Sequence, residues 1–215
     1  MITRGAKLKQ LVNSIRIKLK KWFIVYTKAY SGNVLWPIAL YFRQSLFKQI
    51  ATSTTQFLAR GLILDIGTGP GYLPIEIARN SPNVHVIGVD IVLELLTDGL
   101  KRAKNKRLDD RVSFLRANVE SLPFVNDTFE MVQSVFSLHL WNNRQLGISE
   151  IYRVLKPGGR VHILVGRSYL SHGLASITDY FTRRSISSIK QMCFLAGFKE
   201  VQIKGMRELN IIAKK

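Results

Sequence analysis

The sequence predicts an α/β domain: a mostly parallel, seven-stranded sheet with an antiparallel C-terminal hairpin, preceded by a basic helical extension. Three observations carry this expectation. From Gly61 onward, short apolar runs alternate with amphipathic stretches, the pattern of βα units. The last two apolar runs have almost nothing between them and must pair antiparallel. Before Asp65 there is no acidic residue at all, so the composition marks a boundary between an extension and a domain.

The pattern places strands at about 61–65, 84–90, 112–116, 129–135, 159–166, 199–204 and 208–213. Helices are expected at about 71–80, 92–106, 142–155 and 186–196, the last closed by Gly197. Ahead of them, Leu8, Leu11, Val12, Ile15, Leu19, Trp22, Phe23, Tyr26 and Tyr30 recur every three or four residues, the period of one helical face. Arg16, Lys18, Lys20, Lys21 and Lys28 fall between them, which suits either an anionic membrane surface or packing on the following domain with the lysines solvated. Residues 31–33 break that helix, and residues 35–58 read as one or two more, so the division expected is 1–58 and 59–215.

Composition narrows the classes of function. Of 215 residues, 47% are hydrophobic, enough for one compact domain, and 32 Lys and Arg against 14 Asp and Glu give a net charge of +18. Such a surface seeks phosphates or anionic lipid. A single cysteine, Cys193, excludes an intramolecular disulfide, a multi-cysteine zinc site and a CxxC redox motif, and it fits a reducing compartment. No stretch reaches the ~18 apolar residues of a bilayer span, and the short run 22–26 does not make a secretory signal. A cytoplasmic protein, peripheral at the membrane, is the expectation, with an organelle transit peptide as the less favoured reading of the N-terminus.

The chemistry is concentrated in Leu64-Asp65-Ile66-Gly67-Thr68-Gly69-Pro70-Gly71-Tyr72, which ends a strand in a glycine turn and opens a helix. Glycines permit positive φ and close approach of a ligand, and N–H groups at the helix start are expected to face it. The spacing is GxGxG with an acid two residues ahead, not the GxGxxG of dinucleotide binders. Asp90 ends the second strand, where a carboxylate takes both hydroxyls of a ribose. The plainer alternative is a cluster of turn glycines with Asp90 as a helix cap.

With this motif the chain resembles the class I S-adenosylmethionine-dependent methyltransferases, over roughly Gly61 to the C-terminus. Asn118-Val119-Glu120-Ser121-Leu122-Pro123-Phe124 is similar to the family's Asp-Ala-Glu-x-Leu-Pro-Phe segment, and Leu155-Lys156-Pro157-Gly158-Gly159 resembles its turn before the fifth strand. The nearest subgroup by these motifs is the ubiquinone and menaquinone biosynthesis type. The resemblance implies a Rossmann-like fold and S-adenosyl-L-methionine held by Asp65, Gly67, Thr68, Gly69, Gly71, Asp90, Ile91, Asn118, Val119 and Ser134, with S-adenosyl-L-homocysteine as product. It implies an adenine contact at Asn118 and a backbone contact at Val119. Asn118 departs from the family's Asp; its amide oxygen still accepts from the adenine amino group, without the charge. Val119 replaces Ala and sets a larger side chain beside that edge.

Methyl transfer from a sulfonium is an in-line displacement with a neutral leaving group, so positioning supplies much of the rate and no metal is required. His139 follows the fourth strand at the carboxyl edge of the sheet and is the candidate base, against a loop histidine that only hydrogen-bonds. Tyr30 is the candidate to fold over the cofactor from the extension, although at helical spacing it also reads as packing. Three classes of function follow: a methyltransferase for a small or lipid-like acceptor at a membrane surface, an RNA or DNA methyltransferase drawn by the charge, and a cofactor-binding protein without catalysis. Gln133-Ser134-Val135-Phe136 stands where base-methylating relatives carry Asn or Asp-Pro-Pro-Tyr/Phe, which disfavours the second. Acceptor specificity is expected in 167–184, with His172 and Tyr180 as candidates.

Overall fold

The computed structural model describes residues 44–166, 178–205 and 208–215. Tyr30, Trp22, Phe23, the rest of the basic extension and His172 lie outside the described residues, as does the side chain of Tyr180. In order, the elements are α1 (Gln44–Phe57), β1 (Gly61–Ile66), α2 (Tyr72–Asn80), β2 (Val84–Asp90), α3 (Leu93–Asn105), β3 (Val112–Arg116), β4 (Phe129–Val135), a 3₁₀ turn (Leu138–Leu140), α4 (Arg144–Val154), β5 (Leu155–Gly166), α5 (Thr178–Ala196), β6 (Glu200–Lys204) and β7 (Glu208–Lys214).

They form one seven-stranded sheet in the order β3-β2-β1-β4-β5-β7-β6. The first five strands run parallel; central β1 and β4 are buried along most of their length, whereas β3 at the edge is largely exposed beyond Val112. β7 pairs antiparallel with both β5 and β6, so the expected hairpin folds back to insert its second strand. One core cluster joins Leu64, Phe129, Val132, Ile148, Ile151, Ile163, Phe198 and Ile211, all buried.

Two differences from the sequence reading have clear causes. The chain divides into units of residues 1–46 and 47–215, so most of α1 belongs with the sheet instead of the extension. Phe47, Ile50, Ala51 and Thr54, spaced at helical period, turn the buried face of α1 inward, and Phe47 stacks on Tyr72 at 5.9 Å. The other difference is that β5 starts at Leu155, because Phe129 already pairs with it; the pairing then shifts across 156–159 and resumes at Met131 with Arg160.

Strand order reverses between β1 and β4, whose neighbours lie on opposite sides, and this opens a crevice at their carboxyl ends. The glycine turn follows β1 there, and the His139 turn follows β4.

Candidate functional site

Gly67, Gly69 and Gly71 all adopt left-handed backbone, with φ of 69°, 54° and 73°. At Gly67 a Cβ would lie 2.3 Å from Cβ of Ser137, so the turn after β1 is pressed against the chain leaving β4. At Gly71, the residue capping α2, a Cβ would meet the Phe114 ring at 2.5 Å.

Within the turn itself, ahead of the helix start, the N–H groups are taken up by the protein. Gly67 and Thr68 both donate to the Val89 carbonyl (2.8 and 3.0 Å), and Gly71 donates to that of Thr68 (3.1 Å). Gly69 donates to Asp90 Oδ2 (2.9 Å), and Pro70 has no N–H. The turn therefore offers close approach but no nest of donors for a phosphate.

Its charge points the same way. Asp65 is 3% exposed, and burial raises its pKa from 3.8 to about 7; the Thr68 hydroxyl opposes that rise, and the neighbouring Asp90 charge adds to it. Asp90 is also buried and shifted upward by desolvation, although Val92 and Gly69 N–H groups favour its ionised form. Two carboxylates held out of water around a donor-poor turn suit a cation, and S-adenosyl-L-methionine carries a sulfonium and an ammonium. The residues present thus fit that cofactor.

Asp90 is not itself the cap of α3; that residue is Val92, whose N–H the Asp90 carboxylate holds. Oδ1 accepts from Val92 N–H (3.0 Å) at the start of α3 and Oδ2 from Gly69, which ties turn to helix. Each oxygen keeps a second lone pair for a ribose hydroxyl. Ile91, beside it, is 59% exposed at the strand end, an apolar surface suited to a flat base.

Beyond β3, Asn118 is exposed, and its Oδ1 accepts from Glu120 N–H (3.0 Å), closing a tight turn bridged to Ser121. One lone pair of that oxygen is left for an adenine amino group. Val119 corrects an expectation: its side chain is 7% exposed within the core cluster beside Trp141 and Gly147, so it does not crowd the adenine edge. The apolar residue was legible; the side it faces was not.

Under the turn lies a network that sequence reasoning only half found. Ser134, fully buried, shares a 2.6 Å hydrogen bond with Ser137. Ser137 Oγ also bonds the Ile66 carbonyl (3.1 Å) and accepts from Trp141 Nε1 (3.2 Å). Ser134 is thus placed beneath the crevice, and Ser137, not anticipated, locks the two strand ends together. The signal for it is conformational: Phe136, a non-glycine residue with φ of 58°, bends the chain so that Ser137 turns under Gly67.

His139 lies in the 3₁₀ turn, half-buried, where desolvation and then the Arg144 charge lower its pKa from 6.5 to about 4. At neutral pH its imidazole is uncharged, and the same shift makes it a weaker proton acceptor than an ordinary histidine. No group of three His, Cys, Asp or Glu side chains that could hold a metal occurs among the described residues. Nor is any helix among them long and apolar enough to cross a membrane.

A Rossmann-like sheet with a left-handed glycine turn at the β1–β4 switch and an acid at the end of β2 has the architecture of the class I S-adenosyl-L-methionine-dependent methyltransferases. The chain belongs to the methyltransferase domain family, whose model matches residues 63–159. It is 37% identical over 120 residues to a demethylmenaquinone methyltransferase of Porphyromonas gingivalis, an alignment covering 55% of this chain and 49% of that protein. It is 30% identical over 142 residues to the uncharacterized methyltransferase YdaC of Bacillus subtilis, covering 66% of this chain and 74% of the relative. In fold it matches a crystal structure from Methanococcus maripaludis, assigned as an S-adenosyl-L-methionine-dependent methyltransferase, with a TM-score of 0.69 at 20% identity over 92% of this chain and 91% of that one. The chain spans about half the length of the Porphyromonas relative.

Proposed function

We propose that the protein transfers a methyl group from S-adenosyl-L-methionine to a small, lipid-like acceptor, with a quinone-type ring as the favoured class. The observation that carries the cofactor half of this reading is the glycine turn whose N–H groups are all engaged within the protein, set over buried Asp65 and Asp90. The acceptor class is supported by similarity to a protein named for demethylmenaquinone, itself a lipid quinone.

When bound, the cofactor supplies the electrophilic methyl group. The chain's own residues hold it and prepare the acceptor. Asp90 takes the ribose hydroxyls, Asn118 the adenine amino group and Asp65 the ammonium, while Ile91 lies along the base. Ser137 keeps the two strand ends in register, so the cradle does not need to reorganise as the nucleophile approaches. Neutral His139, at the carboxyl edge, accepts the proton that a ring carbon or hydroxyl loses.

Tritiated S-adenosyl-L-methionine, offered with a reduced demethylnaphthoquinone of short side chain or with total RNA, tests the assignment. Label should enter the quinol, and His139→Ala should lower turnover ~10²-fold with cofactor affinity nearly unchanged. Label found only in RNA would overturn the acceptor class, and full turnover in the variant would leave His139 a structural residue.

The basic extension completes the reading: residues 1–30 hold the protein on anionic membrane through Arg4, Lys7, Lys9, Arg16, Lys18, Lys20, Lys21 and Lys28, with Trp22 and Phe23 inserting. Anionic liposomes should sediment the protein, whereas a Trp22→Ser/Phe23→Ser variant, which keeps every charge, should remain in the supernatant. Equal sedimentation of the two would rule out insertion.

A further inference from the structure

Three polar side chains stand in one row inside the sheet. The β1–β4 register sets Asp65 opposite Gln133, and the β4–β5 register sets Gln133 opposite His162. Register partners in adjacent parallel strands project from the same face, with backbones ~4.8 Å apart. Gln133 is fully buried. Its Oε1 accepts from Thr54 Oγ1 of α1 (3.1 Å), but its Nε2 has no hydrogen-bond partner. A buried amide donor left unmade is costly, so an acceptor belongs beside it in some state of the protein.

The surrounding elements narrow the acceptor to the two register partners, His162 and Asp65, of which only Asp65 becomes an anion. α1 is already spent on Oε1 through Thr54, and α2 turns only apolar residues, Leu73, Pro74, Ile75, Ile77 and Ala78, into the core. On β5, His162 is paired with Asn210 (2.9 Å). On β1, Asp65 faces Thr68 and the Asp90 charge.

The geometry points to Gln133 as a positioning residue for the cofactor: once the ammonium of the bound cofactor holds Asp65 ionised, the Gln133 amide donates to the carboxylate oxygen turned away from the ligand. This inference rests on the proposed cofactor reading and deepens it. It requires only a turn of the amide toward a neighbour one strand away. Burial raises the Asp65 pKa to about 7, so near neutral pH a cation beside it increases the share of the anion to which the Gln133 amide donates.

The sign of the pH effect follows. Asp65 has its pKa raised on folding, from 3.8 to about 7, so it favours the fold fully below pH 3.8 and loses that contribution as pH rises through 7. Cofactor binding runs the other way, strengthening as pH rises through about 7, because the acid must ionise to meet the ammonium.

Calorimetric titration of the full chain with S-adenosyl-L-homocysteine, which carries the ammonium, from pH 5.5 to 9 tests this. Wild-type affinity should rise through about pH 7. In Gln133→Leu, affinity at pH 7 should fall about tenfold and the midpoint should move up by about one pH unit, with the loss shrinking toward pH 9. Gln133→Met, unbranched and as long, is the second variant should the first not fold. A variant with a lowered melting temperature but an unmoved pH profile would overturn the proposal and make Gln133 a purely structural amide. Failure of the wild type to bind at any pH would instead overturn the cofactor reading, and this inference with it.

Discussion

Two glycine turns stand at opposite ends of the sheet, and they are built for different purposes. The turn of residues 67–71 closes the carboxyl end of β1; the turn of 156–159 lies at the amino end of β4, where the β4–β5 pairing shifts. Both use left-handed glycine, with φ of 69° at Gly67 and 78° at Gly158. Around Gly67 there is no room: a Cβ would overlap Ser137. Around Gly158 nothing lies within 4 Å of where a Cβ would be. Gly158 N–H and the Gly159 carbonyl pair with the C-terminal Lys215, and Lys156 bonds Glu130. One turn is pressed against the chain leaving β4, beside buried carboxylates; in the other, Gly158 needs glycine only for its dihedral angle, while a Cβ on Gly159 would meet the Lys156 carbonyl at 2.8 Å.

Alanine substitutions sharpen that contrast. Gly67→Ala combines a left-handed dihedral with a 2.3 Å overlap and should cost about 3 kcal/mol or more, with cofactor binding lost. Gly71→Ala should follow, since its overlap, with the Phe114 ring at 2.5 Å, is the smaller. Gly158→Ala carries only the dihedral strain, about 1 kcal/mol, which lowers the melting temperature by a few degrees and leaves binding intact. Thermal unfolding with and without cofactor separates the three. Equal loss of binding at Gly67 and Gly158 would erase the distinction.

Most of the architecture was legible because parallel strands buried on both faces read as continuous apolar runs. Phe129–Val135 matches the expected bounds for that reason, while Val84–Asp90 and the largely exposed edge strand Val112–Arg116 match because turn and helix signals flank their apolar residues. The start of α5 at Thr178, ahead of the expected 186, was not legible, nor was the membership of α1 with the sheet, since both depend on what a helix packs against. In the site, Asp65, the glycines and Asp90 announce themselves by spacing along the chain. Ser137 and Gln133 do not. Their placement depends on strand register and on one left-handed bend at Phe136, which join residues 71 and 68 positions apart. For the same reason the Val119 side chain was expected beside the adenine and lies instead in the core: a chain segment does not reveal which of its faces meets the core.

The central claim is that the β1 turn and the two buried carboxylates receive an adenosyl cation and not a phosphate-bearing nucleotide. Calorimetry at pH 8 with S-adenosyl-L-methionine, NAD⁺ and ADP, on the wild type and on Asp90→Ala, tests it most directly. The account predicts binding of S-adenosyl-L-methionine alone, weakened at least tenfold in the variant by loss of two charge-assisted hydrogen bonds. Comparable binding of ADP or NAD⁺, or an affinity unchanged by Asp90→Ala, would contradict it.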